Sequence, residues 1–421
     1  MIIRNSDLAF FYLISMIFLP SFMVVLFGGP LDVNSFIKYL DEMIILIMHI
    51  HVFYLVINQC SRQKAWPVIL YLLYWLWSIS LILMNSLPLF HLIQIAISGQ
   101  FFVYFIFYYY LSAEGKCIFQ RKLKKLLYAT FFISMFFGFL QILFPIQFEV
   151  YFPVPTEIRG FFGVSINSMF SSRVFYADFL LVFMLYQAFL YPQEKGYRHS
   201  FANKRFVFYM LMLAFFLILL TGSRKELIFS TLILFFYFTK GNSKKIFVLS
   251  PVLFPVLYFL GTVFLNKFSE VNEVATSDNY VRLHIFNFAV EIMKDYFPFG
   301  SGPGTYGSIM SVSYQNIYQH YGVGDNILGF TGHGRGPIFD MYLSSSIAEI
   351  GIGIIFVVLL FYKIYRKSMM NKNSDIRIFY FLSISLILFL SIMTPVLNNW
   401  IGFLLIAMLG VYLVDEKKNS I

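Results

Sequence analysis

Residues 66–84 read WPVILYLLYWLWSISLILM, without one charged side chain. As a helix this stretch is about 28 Å long, close to the ~30 Å hydrocarbon core of a bilayer. A helix apolar on every side belongs inside a large protein or across a membrane. Comparable runs recur at 8–27, 43–60, 90–112, 126–145, 174–191, 206–221, 226–239, 246–265, 340–362, 378–393 and 395–414. The pattern predicts an all-α polytopic membrane protein of about twelve transmembrane helices, one bundle over residues 1–421.

Composition agrees. The 421 residues are 59% hydrophobic, 21% aromatic and only 12% charged, where a soluble domain carries about 25% charged residues. That charge cannot cover a globular surface of this size. The net charge of +10 does not indicate nucleic-acid binding, because no compact basic domain exists. Most Lys and Arg fall in alternate short connections, which sets orientation: both termini cytoplasmic. Cys60 and Cys117 then sit at cytoplasmic edges, where neither a structural disulfide nor a metal site is expected. The run 8–27 ends in Gly28-Gly29-Pro30 with no small-residue cleavage site, so it reads as a retained span.

The outer side is the unusual one. It holds a loop at 146–173, a tight turn from Thr221 to Lys225, and one large loop at 266–339 between spans nine and ten. Structureless loops that long are uncommon and usually functional. Within it, Ser277 to Phe297 reads as a helix with Val281, Ile285, Phe288, Ala289 and Ile292 near one face, expected along the outer interface. Two glycine-rich stretches follow, Gly300-Ser301-Gly302-Pro303-Gly304 and Gly332-His333-Gly334-Arg335-Gly336-Pro337.

Five arginines face outward against the positive-inside bias: Arg159, Arg173, Arg224, Arg282 and Arg335. A guanidinium offers a planar fork to phosphate oxygens, so the set points to an anionic ligand reached from outside. The alternative is headgroup contact and ion pairing with Glu157, Asp178, Glu226 or Asp278. Arg224 is the sharpest case. Phe206–Leu220 and Leu227–Thr239 supply about 22 and 20 Å of helix against a ~30 Å core, so their turn should dip below the outer surface. Charge at that depth persists where it lines a protein cavity; a snorkelling cation with local thinning is the competing account.

Among the histidines, His49 and His51 lie within a span and read as buried, hydrogen-bonded side chains. His333 is flanked by glycines and followed by Arg335, which suits a general base near neutral pH; a loop histidine without a role fits equally. Tyr306, Tyr314, Tyr318 and Tyr321 could stack on sugar rings, although an interfacial aromatic belt is the ordinary reading. No metal motif, P-loop or nucleotide-sized cytoplasmic domain is present, so no cofactor is expected.

Four segments together resemble the bacterial O-antigen polymerase and ligase family. Arg159-Gly160-Phe161-Phe162-Gly163 through Asn167 resembles its outer-loop R-x-x-G…N pattern. Thr221-Gly222-Ser223-Arg224 resembles its T-x-S-R turn. Arg282 through Pro298-Phe299-Gly300-Ser301-Gly302-Pro303-Gly304-Thr305-Tyr306 resembles its R…P-x-G-x-G-x-x-x-[FY] segment. Asp340-Met341-Tyr342-Leu343…Glu349-Ile350-Gly351-Ile352-Gly353 resembles its N-x-Y-L…E-x-G-x-x-G span, with the last glycine one residue early.

The resemblance implies a metal-independent glycosyltransferase of the bacterial inner membrane, acting at the periplasmic face on undecaprenyl-diphosphate-linked oligosaccharides as donor and acceptor. His333, Arg224 and Glu349 would be catalytic, and Arg159, Arg173, Arg282, Arg335 and Tyr306 substrate-binding. In a Wzy-type pathway such an enzyme polymerises repeat units, with a chain-length regulator as a further partner. The alternative within the family is the ligase that moves glycan to lipid A core. Ligases place a His-Asn pair where this chain has Phe339-Asp340, which favours the polymerase. A flippase of lipid-linked saccharides is the competing class; its spans should carry polar groups at mid-membrane, whereas here the polar residues gather on one side.

Overall fold

The computed structural model describes residues 5–15, 40–59, 65–151, 166–170, 172–193, 201–240, 242, 245, 281–308, 311, 316–323, 341–394 and 396–413. Every regular element among them is helical. Six helices are long and apolar enough to cross a membrane: Trp66–Met84, Ala113–Leu143, Arg173–Leu190, Lys204–Thr221, Tyr342–Met369 and Ser374–Ile392. His91–Ser98 and Gln100–Tyr109 make a seventh if their 46° bend is taken as a break in one span. That is fewer than the twelve expected. Span 246–265 lies outside the described residues, and span 8–27 is described only as far as residue 15. Met43–Asn58, Trp400–Tyr412 and the Arg224–Thr239 helix are apolar but shorter.

The centre of the bundle is a pair of helices with no outward face. All ten residues of Gln100–Tyr109 and all thirteen of Trp400–Tyr412 are buried, as a uniformly apolar helix requires. They approach closely because residue 410 is glycine. A Cβ there would lie 3.0 Å from the Tyr108 side chain and 3.1 Å from the Phe105 carbonyl. The bend before Gln100 falls at Gly99, where a Cβ would meet Ile95 O and the Tyr74 ring at 2.9 Å; glycine is a usual cause of a kink.

The two ends of the bundle differ in chemistry. At one end lysines stand over aromatic rings and reach the first and last described segments: Lys363 and Lys367 are each 5.8 Å from the Trp66 ring centre. Lys367 donates to the Tyr109 hydroxyl at 2.9 Å, Lys116 to the Leu413 carbonyl at 3.3 Å, and Lys122 pairs with Asp7 at 2.6 Å. At the other end the connections gather. The Ile166 amide donates to the Leu220 carbonyl (3.3 Å), Phe170 stacks on Trp400 at 5.6 Å, and Gln100 reaches the Leu397 carbonyl at 3.5 Å.

Two sequence expectations need correction here. Of the helix expected at Ser277–Phe297, residues 277–280 lie outside the described residues and Val281–Asp295 is helical, but its apolar face is closed by protein. Ile285, Ala289 and Ile292 are fully buried in a small core with Tyr306, Ile317, Tyr318, Met341 and Ala348. The helix leading to the tight turn is already formed at Phe201, ahead of the expected Phe206; Lys204 and Arg205 are good helix formers whose long stems tolerate the membrane edge. Its 21 residues make about 31 Å of helix, enough to span. Only the following arm, Arg224–Thr239 with 16 residues, stays short, at about 24 Å.

Candidate functional site

Two polar constructions occupy the end of the bundle opposite the lysines. The first is the glycine loop, residues 298–308, laid against the start of the Tyr342–Met369 span. Ser301 and Gly302 amides donate to the carbonyls of Ala348 and Glu349 at 2.9 and 2.8 Å, and Ile352 N returns to Pro298 O at 3.0 Å. Contact this close is possible because the facing residues lack side chains. A Cβ on Gly300, whose φ is +89°, would lie 2.7 Å from the Glu349 carbonyl oxygen; one on Gly351 would lie 2.6 Å from Pro298 O. The turn after Trp66–Met84 closes the other side: Asn85 donates to Gly300 O at 3.3 Å, and His91 Nδ1 meets Pro303 O at 2.6 Å. Trp77 Nε1 donates to Ile350 O at 3.0 Å.

Glu349 is the pin of this loop. Its side chain takes the Tyr306 amide at 3.1 Å and the Ser308 hydroxyl at 2.6 Å, and the Gly304 and Thr305 amides also turn toward it. With the residue only 3% exposed, the carboxylate is enclosed by donors from its own chain. Tyr306 is enclosed as well; its hydroxyl donates to the Ile285 carbonyl at 2.7 Å. Tyr318 accepts the Gly307 amide at 2.8 Å and donates to Ser311 Oγ at 2.6 Å. Burial raises both phenol pKa values above their ordinary range, so both remain protonated donors. Neither ring offers a face to a sugar: stacking by Tyr306 and an aromatic belt containing Tyr318 give way to a hydrogen-bonded core.

The second construction is the Thr221–Glu226 turn. Gly222 supplies a φ of +67°, which reverses the chain at little cost. Thr221 Oγ1 donates to Ile218 O at 2.7 Å and accepts the Ser223 amide at 3.2 Å. Ser223 stands at the N-cap of Arg224–Thr239 but makes no side-chain cap. Its hydroxyl instead donates to Glu226 Oε2. Lys225 Nζ lies 3.1 Å from Glu226 Oε1, and Asp178, 1% exposed, interacts with both Glu226 and Lys225. Thus the second turn of Arg173–Leu185 and the first turn of Arg224–Thr239 meet through Asp178 and Glu226, and each helix opens with an arginine.

Those two arginines are partly exposed. Arg224 has no carboxylate partner within ion-pair distance among the described residues. A helix start without a side-chain cap, beside a guanidinium unpaired among the described residues, has the donors that a phosphate-type anion needs. The neighbouring 166–170 segment is pinned by Gln141, whose Oε1 accepts the Asn167 and Ser168 amides at 2.8 and 3.0 Å.

The segments singled out by sequence therefore come together in pairs: the Asn167 segment with the Thr221 turn, and the glycine loop with the Glu349 span. Arg282 lies on the Val281–Asp295 helix beside the second pair. Arg159, His333 and Arg335 lie outside the described residues, as do Tyr314 and Asp340. Sequence reasoning treated Asp178 and Glu226 only as surface ion-pair partners and missed Gln141. The available signal was their position inside apolar runs, where an ionisable or amide side chain needs a stated partner. No protein-family model matches this chain, and no curated protein matches it significantly.

Proposed function

We infer that the protein is a membrane glycosyltransferase that polymerises surface polysaccharide, moving a growing glycan from undecaprenyl diphosphate onto a lipid-linked repeat unit at the periplasmic face of the inner membrane. The observation that carries this reading is Arg224: an arginine without a counter-ion among the described residues, on a helix start without a side-chain cap, at the end of the bundle where the connections gather. In the reaction the acceptor hydroxyl oxygen bonds to the anomeric carbon of the donor glycan. The bond from that carbon to the diphosphate oxygen breaks, the oxygen leaves with the electron pair, and the hydroxyl proton passes to a base. Charge accumulating on the departing diphosphate is what a fixed guanidinium and helix amides stabilise best in a site of low dielectric.

The same reading assigns Arg173 to the diphosphate, beside Arg224, and keeps His333 as the base. Glu349 and Tyr306 become positioning residues, because their polar atoms already serve the glycine loop. The lysine end would face the cytoplasm with both termini, and the twelve-span topology completes the proposal. The test is reconstitution: purified protein given only undecaprenyl-diphosphate repeat units should build a ladder of products without nucleotide or divalent metal. Loss of that ladder with EDTA, or its appearance only after lipid A core is added, would exclude this mechanism.

A further inference from the structure

An apolar groove of about 300 Å³ lies between the helices Leu40–Gln59, Trp66–Met84 and Gln100–Tyr109, walled by Val52, Val56, Val68, Tyr71, Trp75 and Ile106. His49 also lines it, but the surface the groove presents is almost wholly apolar and lacks the two to four polar partners that a stable buried water needs. Leaving it empty is costly in proportion to its volume. Its rim is itself apolar and open: Phe53 is 70% and Leu72 55% exposed, with Ile50 and Leu76 beyond them at 67% and 62%. Trp66–Met84, which carries Leu72 and Leu76, is long and apolar enough to cross a membrane, and Phe53 and Ile50 lie on a shorter apolar helix beside it; such a rim suits bilayer hydrocarbon, and an alkyl chain suits the groove.

The groove's height says which chain. Val68 is two residues beyond Trp66, over which Lys363 and Lys367 stand, and Val56 is three residues before the end of its helix at Gln59. From Trp75 to Asn85, which holds the glycine loop, is about 15 Å of further helix. The groove thus occupies the half of the bundle nearest the lysines. Lipids entering it carry their headgroups at the cationic end, where anionic headgroups are favoured.

We propose that this groove is a binding site for one acyl chain of an anionic phospholipid from the leaflet at the lysine end. The inference is independent of the transferase reading. It can be read from Trp75, one of four tryptophans in the chain. The protein is reconstituted into phosphatidylcholine vesicles with rising fractions of phosphatidylglycerol brominated in mid-chain, and the Trp75 signal is taken as wild type minus Trp75→Phe. Quenching of that signal should saturate, with half-saturation at an about fivefold lower mole fraction than brominated phosphatidylcholine requires, the preference one nearby cation supplies. A Val56→Phe/Val68→Phe variant, which fills the groove with protein, should lose the saturable component while keeping its helical content and melting temperature. Equal, non-saturating quenching by both lipids would mean ordinary bilayer contact and overturn the proposal. So would displacement by undecaprenyl phosphate alone, or shielding of Trp75 that rises only with protein density, the mark of a second copy of this chain.

Discussion

Glu226 holds Lys225 at 3.1 Å in a place closed to solvent: the Glu226 side chain has no exposure and that of Lys225 only 15%. Two consecutive cations therefore meet different fates at the start of one helix. Successive residues in a helix point about 100° apart. Lys225 is turned inward onto the carboxyl groups of Glu226 and Asp178, while Arg224 is left without such a partner. The turn exposes one guanidinium at a fixed position, rather than a loose pair of cations.

Arg224→Lys keeps the charge but loses the fork. Polymerising activity should fall strongly, and Arg224→Ala should cost on the order of 10²-fold in rate, as expected for removing one charge-assisted contact at a reacting centre. Neither change touches a buried contact, so membrane insertion and melting temperature should match wild type. Full-length glycan in an Arg224→Ala strain would show the turn to be structural only.

Glu226→Ala leaves Lys225 enclosed with only Asp178 to answer it. Removing one member of a buried pair typically destabilises by about 3–5 kcal/mol; the 15% exposure of Lys225 places this case at or below the lower end. Lys225→Met/Glu226→Leu, which removes both charges together, should restore much of the loss. Melting curves in detergent for Lys225→Met, Glu226→Leu and the double variant give the coupling. Additive losses would mean that the pair contributes nothing.

Much of the bundle was legible because bilayer thickness dictates it. Residues 66–84, read as one apolar run, form the helix Trp66–Met84. The glycine loop was legible as a motif but not as a contact. Gly300 and Gly351 lie far apart in sequence, and only the structure reveals that each is glycine because the other segment's backbone occupies the space of its Cβ. The amphipathic face at Ile285, Ala289 and Ile292 was recognised, yet periodicity does not distinguish a face covered by lipid from one covered by Tyr306 and Tyr318. Asp178 and Glu226 were misjudged for a related reason. Charge near a span end looks exposed in one dimension, and here the neighbouring helix closes over it.

Gly300→Ala should undock the glycine loop. The residue sits at φ +89° and its Cβ would be 2.7 Å from backbone atoms of both Glu349 and Gly351, so the neighbour cannot yield as a flexible side chain would. The backbone conformation alone costs about 1–3 kcal/mol. Limited proteolysis should cut the variant within 298–308 under conditions that spare wild type. Unchanged protection would mean that the loop docks through other contacts.

Glu349→Gln separates an anchor from a base. A neutral amide accepts less strongly from the Tyr306 amide and the Ser308 hydroxyl, and its NH₂ group faces further donors. Loop protection and melting temperature should drop together with activity. Activity lost at wild-type stability and protection would instead assign Glu349 to proton transfer.

Cys117 is a native probe of orientation. Its thiol is free and exposed, one residue after Lys116, which binds the Leu413 carbonyl at 3.3 Å. It therefore marks the lysine end and the end of the final helix together. Cys60→Ser leaves it as the sole thiol of the chain. In the proposed topology an impermeant maleimide should not label Cys117 in intact cells and should label it fully once the inner membrane is opened. A second cysteine at Gln319, exposed at the end of the Asn316–His320 helix, should behave in the opposite way, since that helix packs with the glycine-loop core. Labelling of Cys117 from outside, with Gln319→Cys protected, would invert the bundle. It would put the Arg224 site on the cytoplasmic face and end the periplasmic transferase reading.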